Sequence, residues 1–192
     1  MKHILIVIVL IFIQSNGAFA DHFPGCPKQN HTPEECASLL ESEILQKYKG
    51  IFQRNKHTLT VTCKNGKNET YVTTLGESSD TYLTYRAIKY YEKVNFALML
   101  VGYYDSISYA MLNISNCASV DTKGYAILSP EEKRFLVYGK DIEAESSPNV
   151  LKIYLIKSGG LFLEFDAAPF EWGPSDVRWM SEKEVVFSKR LS

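Results

Sequence analysis

From Ser129 to Ser188 the chain alternates turn and strand, and that rhythm limits what it can fold into. Ser129-Pro130-Glu131-Glu132-Lys133-Arg134 reads as a turn and Phe135-Leu136-Val137-Tyr138 as a strand. After an acidic loop, Val150-Leu151-Lys152-Ile153-Tyr154-Leu155-Ile156 and Leu161-Phe162-Leu163-Glu164-Phe165 flank the turn Lys157-Ser158-Gly159-Gly160. Trp172-Gly173-Pro174-Ser175-Asp176-Val177-Arg178-Trp179 follows, then a last strand, Glu184-Val185-Val186-Phe187. Short β-branched and aromatic runs broken by Gly, Pro and Ser are the pattern of an antiparallel meander. The pattern predicts a fold and carries no recognisable chemistry.

The same grammar holds upstream. Thr58-Leu59-Thr60-Val61-Thr62-Cys63 alternates polar and apolar, with Leu59, Val61 and Cys63 on one face. Lys64-Asn65-Gly66-Lys67 carries the Asn-Gly signal of a type I′ hairpin, and Thr70-Tyr71-Val72-Thr73-Thr74 returns. Residues 82–91, 96–104, 108–114 and 125–128 read as further strands, separated by turns such as Tyr104-Asp105-Ser106 and Asp121-Thr122-Lys123-Gly124. The pattern predicts about ten strands.

One helix precedes them. Thr32 serves as N-cap, Pro33 takes the first helical position and Glu35 completes a capping box. Cys36, Leu40, Ile44, Tyr48 and Ile51 recur on one face, with Leu39 and Phe52 widening it. Glu34, Glu41, Glu43, Lys47 and Lys49 cover the other side, and the helix is expected to end within 50–55. The expected fold is mainly β (α+β by count): a curved, blade-like antiparallel β-meander with one N-terminal amphipathic helix packed on it. The expected organisation is a signal peptide at 1–20 and a single β-rich domain at 21–192, with an arm and helix over 21–55 and antiparallel strands over 58–188.

Met1-Lys2-His3, the apolar run 4–13 and Ala18-Phe19-Ala20 form a signal-peptide pattern with cleavage expected near Ala20. The apolar run is too short to cross a bilayer, which takes about 20 residues. An exported chain, periplasmic or secreted, follows, with no stable membrane insertion. The formal net charge of −1 at pH 7 is too balanced to argue for nucleic acid. The four cysteines, Cys26, Cys36, Cys63 and Cys117, are even in number and read as two disulfides. A local staple, Cys26–Cys36, and a long-range tie, Cys63–Cys117, are favoured among three pairings. Zinc held by His22, Cys26, His31 and Cys36 is the rival, and oxidation on export would consume its thiols. Sequons at Asn30, Asn68 and Asn113 matter only in a eukaryotic secretory pathway.

The segment Ser129-Pro130-Glu131-Glu132-Lys133-Arg134-Phe135-Leu136-Val137-Tyr138 resembles the Ser-Pro-Asp-Gly-Lys-strand signature of TolB-like and WD-type β-propeller blades. Residues 172–179 with 184–187 look like a decayed copy of such a turn and strand. The run 101–187 is also similar to uncharacterised exported bacterial proteins through Asp141-x-Glu143-Ala144, Pro148-Asn149 and Trp172-Gly173-Pro174. Glu131-Glu132 replaces Asp-Gly and loses the glycine that adopts positive φ freely. The strand-rich length suits about three blades, fewer than closed propellers use, so a partial, open sheet is expected. The resemblance implies a binding surface and names no reaction.

No His follows His57, and there is no Gly-x-Ser-x-Gly, no His-Glu-x-x-His and no Gly-rich phosphate loop. A carboxylate pair drawn from Asp141, Glu143, Glu164 and Asp166 is the remaining route to hydrolysis. Solvated strand-end charges explain those residues more simply. Asp141, Glu143 and Glu145 share a face of an extended chain, a surface that suits a basic partner. Trp172, Tyr103, Tyr104 and Asn149 complete the candidate binding residues, aromatics being enriched at interface hot spots. The expected function is an exported, non-catalytic protein-binding module, an inhibitor or immunity protein against a secreted toxin in its specific form. The alternatives are a secreted hydrolase using a carboxylate pair and an envelope glycan-binding protein. No cofactor or metal is expected, a protein partner is, and the oligomeric state stays open.

Overall fold

Thr32 starts the one α-helix among the described residues, as its sequence predicts. Its side chain accepts from Glu35 N at 3.2 Å while its own N donates to Glu35 Oε2 at 2.9 Å, so each end of the box satisfies an otherwise orphaned donor. The computed structural model describes residues 7–10, 26, 32–78, 81–139 and 149–191. They contain this helix, fifteen strands and a short 3₁₀ turn. The strands form four sheets, none closed into a barrel, and the chain divides into two compact units. Residues Ala18–Thr122 make one; Met1–Gly17 with Lys123–Ser192 make the other. The chain passes between them within the Asp121–Gly124 turn.

In the first unit, α1 (Pro33–Lys47) precedes a three-stranded sheet of β2 (Phe52–Asn55), β3 (Thr58–Thr62) and β4 (Asn68–Val72). The helix stops at Lys47, short of the expected 50–55, and Phe52–Asn55 is already a strand. Pairing Phe52 with Val61 buries both side chains, a gain that outweighs the helical spacing in the sequence. The β3–β4 turn also differs from expectation. Gly66 takes φ +81° while Asn65 stays out of the left-handed region, and Gly66 N donates to Cys63 O at 2.9 Å. That is a type I turn followed by a left-handed glycine, not the I′ turn, and Asn65 Oδ1 tightens it by accepting from Lys67 N.

A five-stranded antiparallel meander completes this unit: β5 (Thr74–Leu75), β6 (Tyr82–Tyr91), β7 (Phe96–Tyr103), β8 (Ile107–Asn113) and β9 (Ser119–Asp121), in sequence order. Its edge strands are two and three residues long, which leaves little unpaired backbone to recruit another chain. Ile44 from α1, Phe52 from β2, Leu59 and Val61 from β3 and Ala97 and Met99 from β7 share one core. Cys63 and Cys117 are bridged across 54 positions with Cα atoms 5.7 Å apart, and a second disulfide joins Cys26 to Cys36 of α1.

The second unit holds the stretch from Ser129 onward. β10 (Tyr125–Leu128), β11 (Arg134–Gly139), β12 (Val150–Lys157) and β13 (Gly160–Ala167) form an antiparallel sheet in that order. Ser158 and Gly159, at φ 49° and 70°, make the I′-type turn between β12 and β13, so the primed turn sits here and not at Asn65-Gly66. β14 (Trp172–Ser181) and β15 (Glu184–Leu191) form a hairpin, and β1 (Val7–Leu10) adds to β15 in parallel. Leu136, Leu151 and Ile153 of one sheet meet Val177, Val185 and Phe187 of the other. Glu132 stands at φ 62°, so the turn that resembles a blade signature takes the left-handed conformation without its glycine.

Candidate binding surfaces

Among the expected binding residues that the structure describes, Tyr103 and Tyr104 are the most accessible. β7 ends at Tyr103, whose N donates to Ser106 O at 2.8 Å to close the turn into β8. Tyr104 is 59% exposed and sets its ring edge-on to Tyr82 at 6.2 Å. Pairing brings further apolar groups to the same end of the meander: Leu75, 62% exposed, opposite Tyr82, and Ile107, 41% exposed, opposite Gly102. Tyrosines commit large amphipathic area with few rotors to freeze, which suits them to protein contact.

Trp172 and Asn149 belong to the other unit, where both are engaged. Trp172 stacks on Phe187 with centroids 5.6 Å apart and planes 8° off parallel, and Lys189 Nζ lies 4.5 Å from its ring centre. Asn149 is buried and its Nδ2 donates to Pro169 O at 3.1 Å, pinning the start of β12 to the loop before β14. Asp141, Glu143 and Glu145 lie outside the described residues. Glu164 and Asp166 are in ion pairs, with Arg134 Nε at 2.7 Å and Lys152 Nζ at 3.4 Å.

Sequence periodicity placed Glu41 on the solvent side of α1; the structure buries it at 3% exposure. Its carboxylate accepts from Arg54 Nη2 at 2.6 Å, Arg86 Nη1 at 3.2 Å and Ala87 N at 3.3 Å. Three donors from β2 and β6 offset its desolvation, something no pattern along the helix could show. Burial works against the Arg86 charge, yet Glu34 and Glu41 hold that guanidinium above its ordinary value. Leu39, expected in the buried stripe, is 39% exposed.

Arg134 is the second buried clasp that periodicity missed. It sits at the start of β11 and binds Glu164 of β13 and Glu182 of the β14–β15 turn, at 2.7 and 3.1 Å. Ser129 Oγ donates to Glu182 Oε1 and accepts from Lys133 N and Arg134 N. The β12–β13 register shifts between Ile153 and Tyr154, leaving Glu164 without an opposite residue. That bulge frees the Glu164 carboxylate to reach Arg134. Glu164 raises the Arg134 pKa, burial opposes it and Glu182 adds to the rise. The Ser129–Arg134 segment that resembles a blade motif therefore works as a structural clasp.

Sequence reading also overlooked exposed apolar groups on β13 and beyond: Phe162 and Leu163 at 52%, Phe170 at 93% and Met180 at 56%. Cys26 and Cys36, ligands in the zinc alternative, are joined to each other. No cluster of three metal-ligating side chains occurs among the described residues. No described helix is long and apolar enough to cross a membrane. Comparison with family models, with curated proteins and with solved structures finds no match for this chain.

Proposed function

We propose that the chain is an exported, non-catalytic protein-binding module, acting as an inhibitor or immunity protein against a secreted toxin. The observation that carries this reading is the exposed tip of the five-stranded meander, where Tyr103, Leu75 and Ile107 at the ends of β7, β5 and β8 gather with Tyr104 of the β7–β8 turn. Two disulfides fit an oxidising, non-cytoplasmic compartment, in keeping with the leader pattern. The resemblance to propeller blades points the same way, toward binding. Glu164 and Asp166, two of the four carboxylates on which the hydrolase alternative depends, are held in ion pairs with Arg134 and Lys152.

Affinity capture with the mature chain, residues 21–192, tests the reading. A protein retained by the wild type is expected to be released by Tyr103→Ala/Tyr104→Ala, with affinity lowered roughly 30-fold or more, the scale of an interface hot spot. Asp141→Lys/Glu143→Lys tests the acidic segment separately through its association rate and salt dependence. Equal retention by the tyrosine variant would overturn the surface assigned here. Turnover of a glycan or ester substrate, abolished by Glu164→Gln or Asp166→Asn, would overturn the non-catalytic reading.

A further inference from the structure

β15 lies between β14 and β1, and the two neighbours differ in kind. β14 reaches it through a hairpin and stays attached. β1 is drawn from the apolar run that the leader pattern assigns to the removed segment. Its register is unbroken and parallel, Val7 opposite Glu184, Ile8 opposite Val185, Val9 opposite Val186 and Leu10 opposite Phe187. All other described strand pairs are antiparallel.

Removal of residues 1–20 takes this strand away and leaves the backbone of residues 184–187 unpaired along one edge. Three other described sheet edges are blunted: β5 and β9 by shortness, β13 by its bulge at Glu164. The vacated edge has neither defence. Val185-Val186-Phe187 contains no Lys or Pro, and its side chains are buried in the core.

We infer that the outer edge of β15 is a strand-acceptor site, which in the mature chain takes an extended, apolar, β-branched segment of a partner polypeptide in parallel register. Val7–Leu10 shows the chemistry the edge accepts: four consecutive apolar residues, Val-Ile-Val-Leu, hydrogen-bonded through the main chain. The leader also guards the edge until it is removed. This inference rests on the export reading and specifies a partner chemistry for the binding module, at a site other than the tyrosine tip.

Hydrogen exchange on the full chain, residues 1–192, and the mature chain, residues 21–192, provides the test. The probe is a Lys-flanked peptide containing Val-Ile-Val-Leu, beside a control peptide with Pro at the two central positions. Of the amides of residues 184–187, the alternate ones that face β1 are expected to be protected in the full chain and to exchange at least about tenfold faster in the mature chain. The probe should restore protection in the mature chain, and the control should not. A spin label at the probe's N-terminus should broaden Glu184 more than Phe187, the parallel signature.

Unchanged exchange in the mature chain, or no protection at saturating probe, overturns the inference. Self-association of the mature chain that protects residues 184–187 without probe also overturns it, because the occupant is then a second copy. Loss of the native Trp172 and Trp179 fluorescence on leader removal would make β1 a permanent strand and overturn it too. In the full chain, Ile8→Pro/Val9→Pro opens the edge without truncation and should raise exchange at 184–187 alone. Tyr103→Ala/Tyr104→Ala should bind the probe normally, so failure at the tyrosine tip and failure at the β15 edge are read independently.

Discussion

Tyr71 shows how burial at one position becomes a property of the whole stability curve. Its ring packs against Tyr85 at 5.1 Å in the first unit, and burial, then Glu69 and Tyr85, pushes its phenol up to about 12. An unfolded chain releases that proton near pH 10. The folded pKa is the higher of the two, so the stability that Tyr71 contributes is intact below about pH 10 and is lost as pH rises toward 12. Wild-type denaturation midpoints should therefore fall across that window, and Tyr71→Phe should fall less steeply. Parallel slopes for the two proteins would show that the folded phenol ionises as freely as the unfolded one.

Arg134 links β11 to β13 and to the β14–β15 turn with one guanidinium, so its energetics belong to the elements it joins. Replacing it by Met leaves Glu182, 10% exposed, without its cation and is expected to cost about 3–5 kcal/mol. Arg134→Met/Glu164→Gln/Glu182→Gln should recover much of that loss, since removing all three charges removes the desolvation cost as well. Both tryptophans lie in this unit beside Val185 and Phe187, so fluorescence-detected denaturation reads the effect directly. A single variant within about 0.5 kcal/mol of wild type would mean that the clasp adds no more than an exposed ion pair. The same logic holds for Glu41, whose partners come from β2 and β6.

The molecule concentrates its covalent ties in one unit. Cys26–Cys36 and Cys63–Cys117 both fall within residues 18–122, while residues 123–191 rely on packing and the Arg134 clasp. Closing a 54-residue loop in the unfolded state is worth about 4 kcal/mol on the chain-entropy account. Cys63→Ser/Cys117→Ser should lower the stability of this unit by that order, measured by exchange at the β3 and β8 amides. A loss under about 1 kcal/mol would show that the loop is already ordered in the unfolded chain. The division into units had no marker in composition, because no Pro- or Ser-rich linker separates them. It emerges only from pairing, with β9 on β8 and β10 on β11 either side of one ordinary turn.

Alternation and turn residues were enough to read the long strands. Residues 58–62, 82–91 and 150–157 are strands because β-branched and aromatic side chains suit a half-buried pleat, and the Thr32–Glu35 box begins the helix through contacts three residues apart. The Cys63–Cys117 bridge is the long-range tie favoured beside the local Cys26–Cys36 staple. Interactions that depend on distant partners were invisible along the chain. Nothing local marks Glu41 as buried or Arg134 as a clasp, since the donors and carboxylates that make burial tolerable arrive from other strands. Of the candidate binding residues, Tyr103 and Tyr104 lie open while Trp172 and Asn149 are occupied, and only the paired neighbours distinguish them. The β15 edge is the same case: its sequence reads as an ordinary strand, and only the parallel pairing with Val7–Leu10 marks it as the strand-acceptor site we propose.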